Sequence, residues 1–291
     1  MNSERAKPQR RLSRHLVDRV APAITEKKKY AFIGISGGAG TTTLALAFAA
    51  YLAAGASGRA AGAGLSGDLR TGEAALTAFV ELSDDRRPPA GFTYDRIGID
   101  KRFAGREYTS FYGLIAAGRT IRGELNPDAG VNWALRVPGE RTERLDTADY
   151  IRLADNARGA ATVCDVSGSF GNFRANDDER ADMLRGVIGD ADRIAAIADP
   201  LPSALMADPV RLDLLRALEA SGATVVWIVN KMNRGVNRKE LSRFLGARDP
   251  VIIEAIDAED IYASEYSCET VYERPRAAER LRECFERLAS Q

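Results

Sequence analysis

A chain of 291 residues has room for one large α/β domain, and its 45% hydrophobic and 28% charged residues are the proportions of a packed core under a solvated surface, not of a disordered or fibrous polymer. Its 41 Lys and Arg balance 41 Asp and Glu, so overall charge gives no pull towards DNA or an anionic membrane, and any such contact must come from a local patch. Cys164, Cys268 and Cys284 are too widely spaced for a disulfide framework or a C-x-x-C metal pair, and no apolar run reaches a bilayer span or the form of a secretion signal, so a reducing, cytoplasmic setting is expected.

Residues 1–29 form a basic arm, in which Arg5, Lys7, Arg10, Arg11, Arg14, Arg19 and Lys27 to Lys29 outnumber Glu4, Asp18 and Glu26. Leu12, Leu16, Val17 and Val20 recur there at helical spacing until Pro22 interrupts, which predicts a short amphipathic helix. Such an arm suits either an acidic or lipid partner or plain packing on the domain.

At Tyr30 the texture changes. Residues 30–35 are a short apolar run, a glycine-rich turn follows, and 44–54 are dense in Ala and Leu: strand, loop, helix. Apolar runs return at 133–137, 161–164, 194–198, 224–229 and 251–253, with helical segments at 147–156, 178–187, 209–220 and 239–245. Buried strands alternating with helices predict a mainly parallel, twisted sheet covered on both faces, a three-layer α/β/α domain over 30–291.

Two stretches are less legible. Strand two is hard to place in the Gly- and Ala-rich residues 53–67, and 84–91 reads as a loop. Residues 92–130 gather Tyr94, Phe103, Tyr108, Phe111 and Tyr112, an insertion whose rings either pack onto the sheet or form a partner surface. The last helix, 276–288, places Leu281, Cys284, Phe285 and Leu288 on one side and mixed charges on the other, which is the pattern of a helix docked on its domain and not of a membrane anchor.

The chemistry centres on Ser36-Gly37-Gly38-Ala39-Gly40-Thr41-Thr42-Thr43. A phosphate loop works because successive backbone N–H groups converge on an anion at the positive end of the following helix, and glycines allow close approach. These glycines stand between a buried strand and a helix, as that geometry requires. A glycine turn without a ligand is the plain alternative.

This loop resembles the deviant Walker A motif of the MinD/ParA ATPases of the SIMIBI P-loop class, K-G-G-x-G-K-[ST]-T. Ser36 and Thr41 fall where its two lysines stand, and Thr42 matches the magnesium-binding hydroxyl. L-S-G-D-L-R-T-G at 65–72 resembles the family's segment at the end of strand two, and Asp68 matches the acid that positions the attacking water. A-T-V-C-D-V-S-G at 161–168 resembles the switch segment, with Asp165 as the holder of a magnesium-bound water. In V-V-W-I-V-N-K-M-N at 225–233, Asn230 matches the residue that reads the adenine edge. The run also echoes the N-K-x-D motif of GTPases, but Asn233 replaces the Asp that guanine needs. Residues 130–138 and 198–205 extend the likeness.

The resemblance implies ATP or ADP with Mg2+ bound by Gly37 to Thr43, a homodimer, and protein partners in a larger assembly. The altered loop is most like the TadZ/CpaE-type pilus-assembly branch, a setting peripheral to the inner face of the membrane. Loss of both lysines removes charge that stabilises a transferring phosphoryl group, so the implied function is a localisation or assembly switch with weak or absent hydrolysis. Two alternatives stay open: an active ATPase for DNA partitioning or membrane positioning, and a pseudo-ATPase scaffold that binds no nucleotide.

Overall fold

The computed structural model describes residues 27–62, 76–82, 91–119, 126–140, 145, 147–157, 159–166, 186 and 188–290. They contain one eight-stranded sheet in the order β3-β4-β2-β5-β1-β6-β7-β8. The strands are β1 (Lys28–Gly34), β2 (Thr77–Glu81), β3 (Pro127–Asp128), β4 (Val131–Ala134), β5 (Ala161–Val166), β6 (Arg193–Ala198), β7 (Val225–Met232) and β8 (Val251–Glu254). Every neighbouring pair is parallel except the short β3–β4 hairpin.

The central strands read as continuous apolar runs because both of their faces are buried. Successive side chains of β1 alternate between two cores: Tyr30 and Phe32 enter one, Ala31 and Ile33 the other. The first core lies under α1 (Thr41–Gly62) and α10 (Pro275–Ser290), where Phe48 meets Phe285 at 5.2 Å between ring centroids. The second lies under α5 (Thr147–Asn156), the short α6 (Pro202–Leu205), α7 (Pro209–Ala220) and α8 (Arg238–Leu245), with Leu153, Leu205, Leu215 and Leu241 inward. Each such side chain contributes about 1.5–3 kcal/mol when fully buried.

From β1 the chain runs through α1 towards β2 on one side, and from β6 through α7 towards β7 on the other. The two helices lie on opposite faces, so the sheet order reverses around β1. In open α/β sheets ligands bind beyond the carboxyl ends of the strands at such a point.

Strand two differs from the expected placement. Helix α1 continues to Gly62, because its alanines are the best helix formers, and β2 begins only at Thr77. The segment at 65–72 therefore precedes strand two and does not end it. Asp68 lies outside the described residues, as do 1–26 of the basic arm, 84–90 and most of the predicted helix at 178–187.

Residues 92–130 supply α2 (Phe92–Arg96), α3 (Ile99–Arg102), α4 (Phe111–Ala116) and β3. Their rings point inward: Tyr94, Phe103, Phe111 and Tyr112 are buried, and Tyr108 packs edge-on against Tyr94 and Phe103 at 5.3 and 5.5 Å. The last helix buries Leu281, Cys284, Phe285 and Leu288, the side that its pattern selected. Among the described residues no helix is long and apolar enough to cross a membrane.

Candidate functional site: a phosphate loop held by the end of β7

β1 ends at Gly34, the N–H of Ile35 still donates to Ile197 O at 2.8 Å, and α1 opens at Thr41. Between them Gly38 (φ 78°) and Gly40 (φ 88°) adopt the left-handed conformation that only glycine takes without strain. Leu44 N donates to Gly40 O at 3.0 Å, closing the first helical turn. The first amides of a helix lie ahead of any carbonyl of its own ladder and are available to an anion.

The two positions that the resemblance aligns with lysines are occupied by short, buried side chains. Thr41 is 6% exposed and its hydroxyl packs against Gly34, where a Cβ would collide with it. Ser36 is 8% exposed, and its hydroxyl has no hydrogen-bond partner among the described residues. Neither brings positive charge to the loop.

Charge arrives from other elements. Asn230 Nδ2 donates to Ala39 O at 2.9 Å and lies so close to Gly40 that a Cβ there would stand 2.5 Å from it. The next residue, Lys231, donates from Nζ to Gly38 O and pairs with Asp199 Oδ2 at 3.3 Å. Asp199, just beyond β6, is fixed in turn by accepting from Leu201 N at 3.0 Å. Arg211, on the first turn of α7, donates to Gly34 O, and its own burial lowers its pKa against the pull of Asp208. The sequence pointed to Asn230 but not to Lys231, Asp199 or Arg211. The N-K dipeptide at the end of a buried strand was the available signal.

Asp165 is the penultimate residue of β5, fully buried, in register with Phe32 of β1 on one side and Glu81 of β2 on the other. Its charge is felt by a cation of the insertion. Arg96 of α2 pairs with Glu265 of α9 (Ala258–Tyr266) at 2.9 Å; burial lowers its pKa, and the charges of Glu265 and Asp165 oppose that shift. Glu81 is the acid that ends strand two. It accepts from Thr93 Oγ1 at 2.9 Å and from Arg136 N at 3.1 Å, which ties α2 and the end of β4 to the sheet. A cavity of about 350 Å³ beside Trp227 and Arg248 opens at the other edge of the sheet, where β7 begins.

No family model and no curated protein matches the chain. Solved structures do. The cell-division ATPase MinD of Pyrococcus furiosus superposes with a TM-score of 0.60 at 12% identity, over 90% of this chain and 99% of the other. A ParA family ATPase from Chlorobium tepidum gives 0.54 at 14%, over 91% and 98%. The septum site-determining MinD of Pyrococcus horikoshii, complexed with Mg-ADP, gives 0.57 at 12%, over 90% and 94%. The fold is that of the MinD and ParA ATPases. On that frame Ser36 to Gly40 make the turn between the first strand and first helix, Thr41 to Thr43 open that helix, and Asp165 and Asn230 lie near the carboxyl ends of strands on either side of it.

Proposed function

We propose that the chain is a nucleotide-binding localisation or assembly switch that holds Mg-ATP or Mg-ADP on Gly37 to Thr43 and hydrolyses slowly or not at all. The observation that carries this is the shape of the loop. It is a glycine-rich turn with two left-handed glycines at the end of the central strand, its outer carbonyls taken by Asn230 and Lys231 and its lysine positions replaced by buried Ser36 and Thr41. The Mg-ADP complex of the Pyrococcus horikoshii MinD supports the same ligand here.

The donor set suits magnesium, a hard cation that takes oxygen ligands and keeps several waters. Thr42 would supply its hydroxyl and Asp165 would hold a metal-bound water from the neighbouring strand; the bound ion neutralises phosphate charge. The amides at the start of α1 bind the phosphates. Asn230 spends its amide N–H on Ala39 O, which leaves its carbonyl oxygen to accept from the exocyclic amino group of adenine. Guanine presents an acceptor at that place.

Slow hydrolysis follows from charge. No loop residue contributes a cation, and the guanidinium of Arg96 is engaged with Glu265. Within this fold, the altered loop supports a role in the TadZ/CpaE-type pilus-assembly branch, as a homodimer joined to a larger assembly at the inner face of the membrane.

Equilibrium titration of fluorescent ATP with and without Mg2+, with phosphate release followed in the same sample, tests the reading. Saturable, magnesium-dependent binding without turnover is expected. Rapid turnover would make the chain an ATPase of the partitioning or positioning kind, and no binding at all would make it a scaffold.

A further inference from the structure

Lys231 stands in the left-handed region, φ 60°, where a long side chain strains the backbone and glycine or asparagine is the usual occupant. Such strain persists only where the surroundings impose it. Here the ammonium is engaged twice, by Gly38 O and by the carboxylate of Asp199, itself only 9% exposed. One position earlier Asn230 engages Ala39 O. Two consecutive residues of β7 thus hold two consecutive carbonyls of the phosphate loop.

The peptide unit is planar and trans, so each carbonyl points opposite to the N–H of the residue that follows. Turning the carbonyls of Gly38 and Ala39 towards β7 turns the amides of Ala39 and Gly40 to the other side of the loop. The Ala39 amide accordingly reaches across the turn to Ser36 O, at a long 3.4 Å, a contact that a stronger acceptor can replace. Inward amides in succession are the anion-binding arrangement. Ser36 and Thr41 lack the length and charge to impose it from within the loop.

We propose that Lys231, paired with Asp199, is the positioning residue that holds this loop in its phosphate-accepting form from the end of β7. The inference rests on the nucleotide-binding reading above. It adds that the ammonium acts through the backbone of the loop and not on the terminal phosphate. A diphosphate and a triphosphate are therefore held through the same element.

The test compares the full chain with Lys231→Gly and Lys231→Arg, using labelled ADP and ATP with Mg2+, thermal melting, and amide hydrogen exchange over residues 37–41 without nucleotide. Lys231→Gly relieves the left-handed strain, so its melting temperature should hold or rise. Its affinity for both nucleotides should fall by a common factor of about tenfold or more, its loop amides should exchange faster, and Lys231→Arg should restore most of the binding. Unchanged affinity with unchanged exchange would overturn the proposal. So would a loss confined to ATP, which would place the ammonium on the terminal phosphate. If the wild-type chain binds neither nucleotide, the nucleotide reading fails, and hydrogen exchange still decides whether Lys231 orders the loop.

Discussion

Arg211 donates from its buried guanidinium to the carbonyl of Gly34, the last residue of β1 and 177 positions away in sequence. The bond ties α7 to the root of the phosphate loop, and Asp208 both caps that helix through Arg211 N at 3.0 Å and stands 3.5 Å from Arg211 Nε. Removing the guanidinium leaves a carbonyl without its donor at the end of the central strand. Arg211→Met should lose about 1–3 kcal/mol of stability in urea denaturation, the cost of a buried acceptor left unmade. A change below about 0.5 kcal/mol would show that the contact carries no net energy.

Gly37 and Gly40 should respond differently to the same methyl group. At Gly40 the left-handed backbone and the nearby Asn230 amide oppose a Cβ, whereas at Gly37 the space is open and no positive φ is imposed. Gly40→Ala should cost about 1–3 kcal/mol and displace Asn230. Gly37→Ala should melt within a degree or two of the wild type. Equal melting temperatures for the two variants would contradict the loop geometry.

Asp165→Asn separates the metal from the phosphate. The amide keeps the shape of the carboxylate but lacks the charge that orients a magnesium-bound water. ATP affinity in excess Mg2+ should fall to the value measured in a chelator, while the chelator value itself should not change. If the variant keeps full magnesium dependence, Asp165 is not part of the metal site.

Alkaline pH should destabilise the fold. Burial pushes the Cys164 thiol from 9.0 to about 12, against the nearby Lys29 ammonium, and pushes the Tyr30 phenol from 10.0 to about 12, against Arg193. For Lys29 burial alone would lower the pKa, but Asp155 and Asp190, at 2.6 and 3.0 Å, outweigh it and leave it raised above 10.5. All three folded values lie above the unfolded ones, so their contributions are complete below the unfolded values and are lost as pH rises through the folded ones. Melting temperature should hold up to about pH 9 and fall steadily towards pH 12, with a shallower slope in Cys164→Ala. A flat profile across that range would contradict the burial of these groups.

Much of the fold was legible because its signals are local. The helix at 209–220 was placed from its pattern, and its Asp208 cap and Pro209 in the first turn are local features that agree; the phosphate loop was placed from its glycines, two of which take the left-handed backbone. Strand two was not legible. Its five residues, T-A-F-V-E, are too few for a period, and the alanine run before it extends α1 through the region where a strand was sought. Helix α9 was also missed, since it buries little and leaves Tyr262 and Tyr266 exposed. At the site, the resemblance put forward Thr42, Asp165 and Asn230. The N-K dipeptide marks the place of Lys231 but not its role, which depends on which way the carbonyl of Gly38 points, and that is a property of the folded loop.

A loop that binds nucleotide without turning it over shows both properties in one experiment. Loading the protein with Mg-ATP, removing free nucleotide and analysing what remains bound after several hours measures both halves at once. ATP should be retained and recovered intact. Recovery as ADP within minutes, or no nucleotide retained even at millimolar loading, would contradict it.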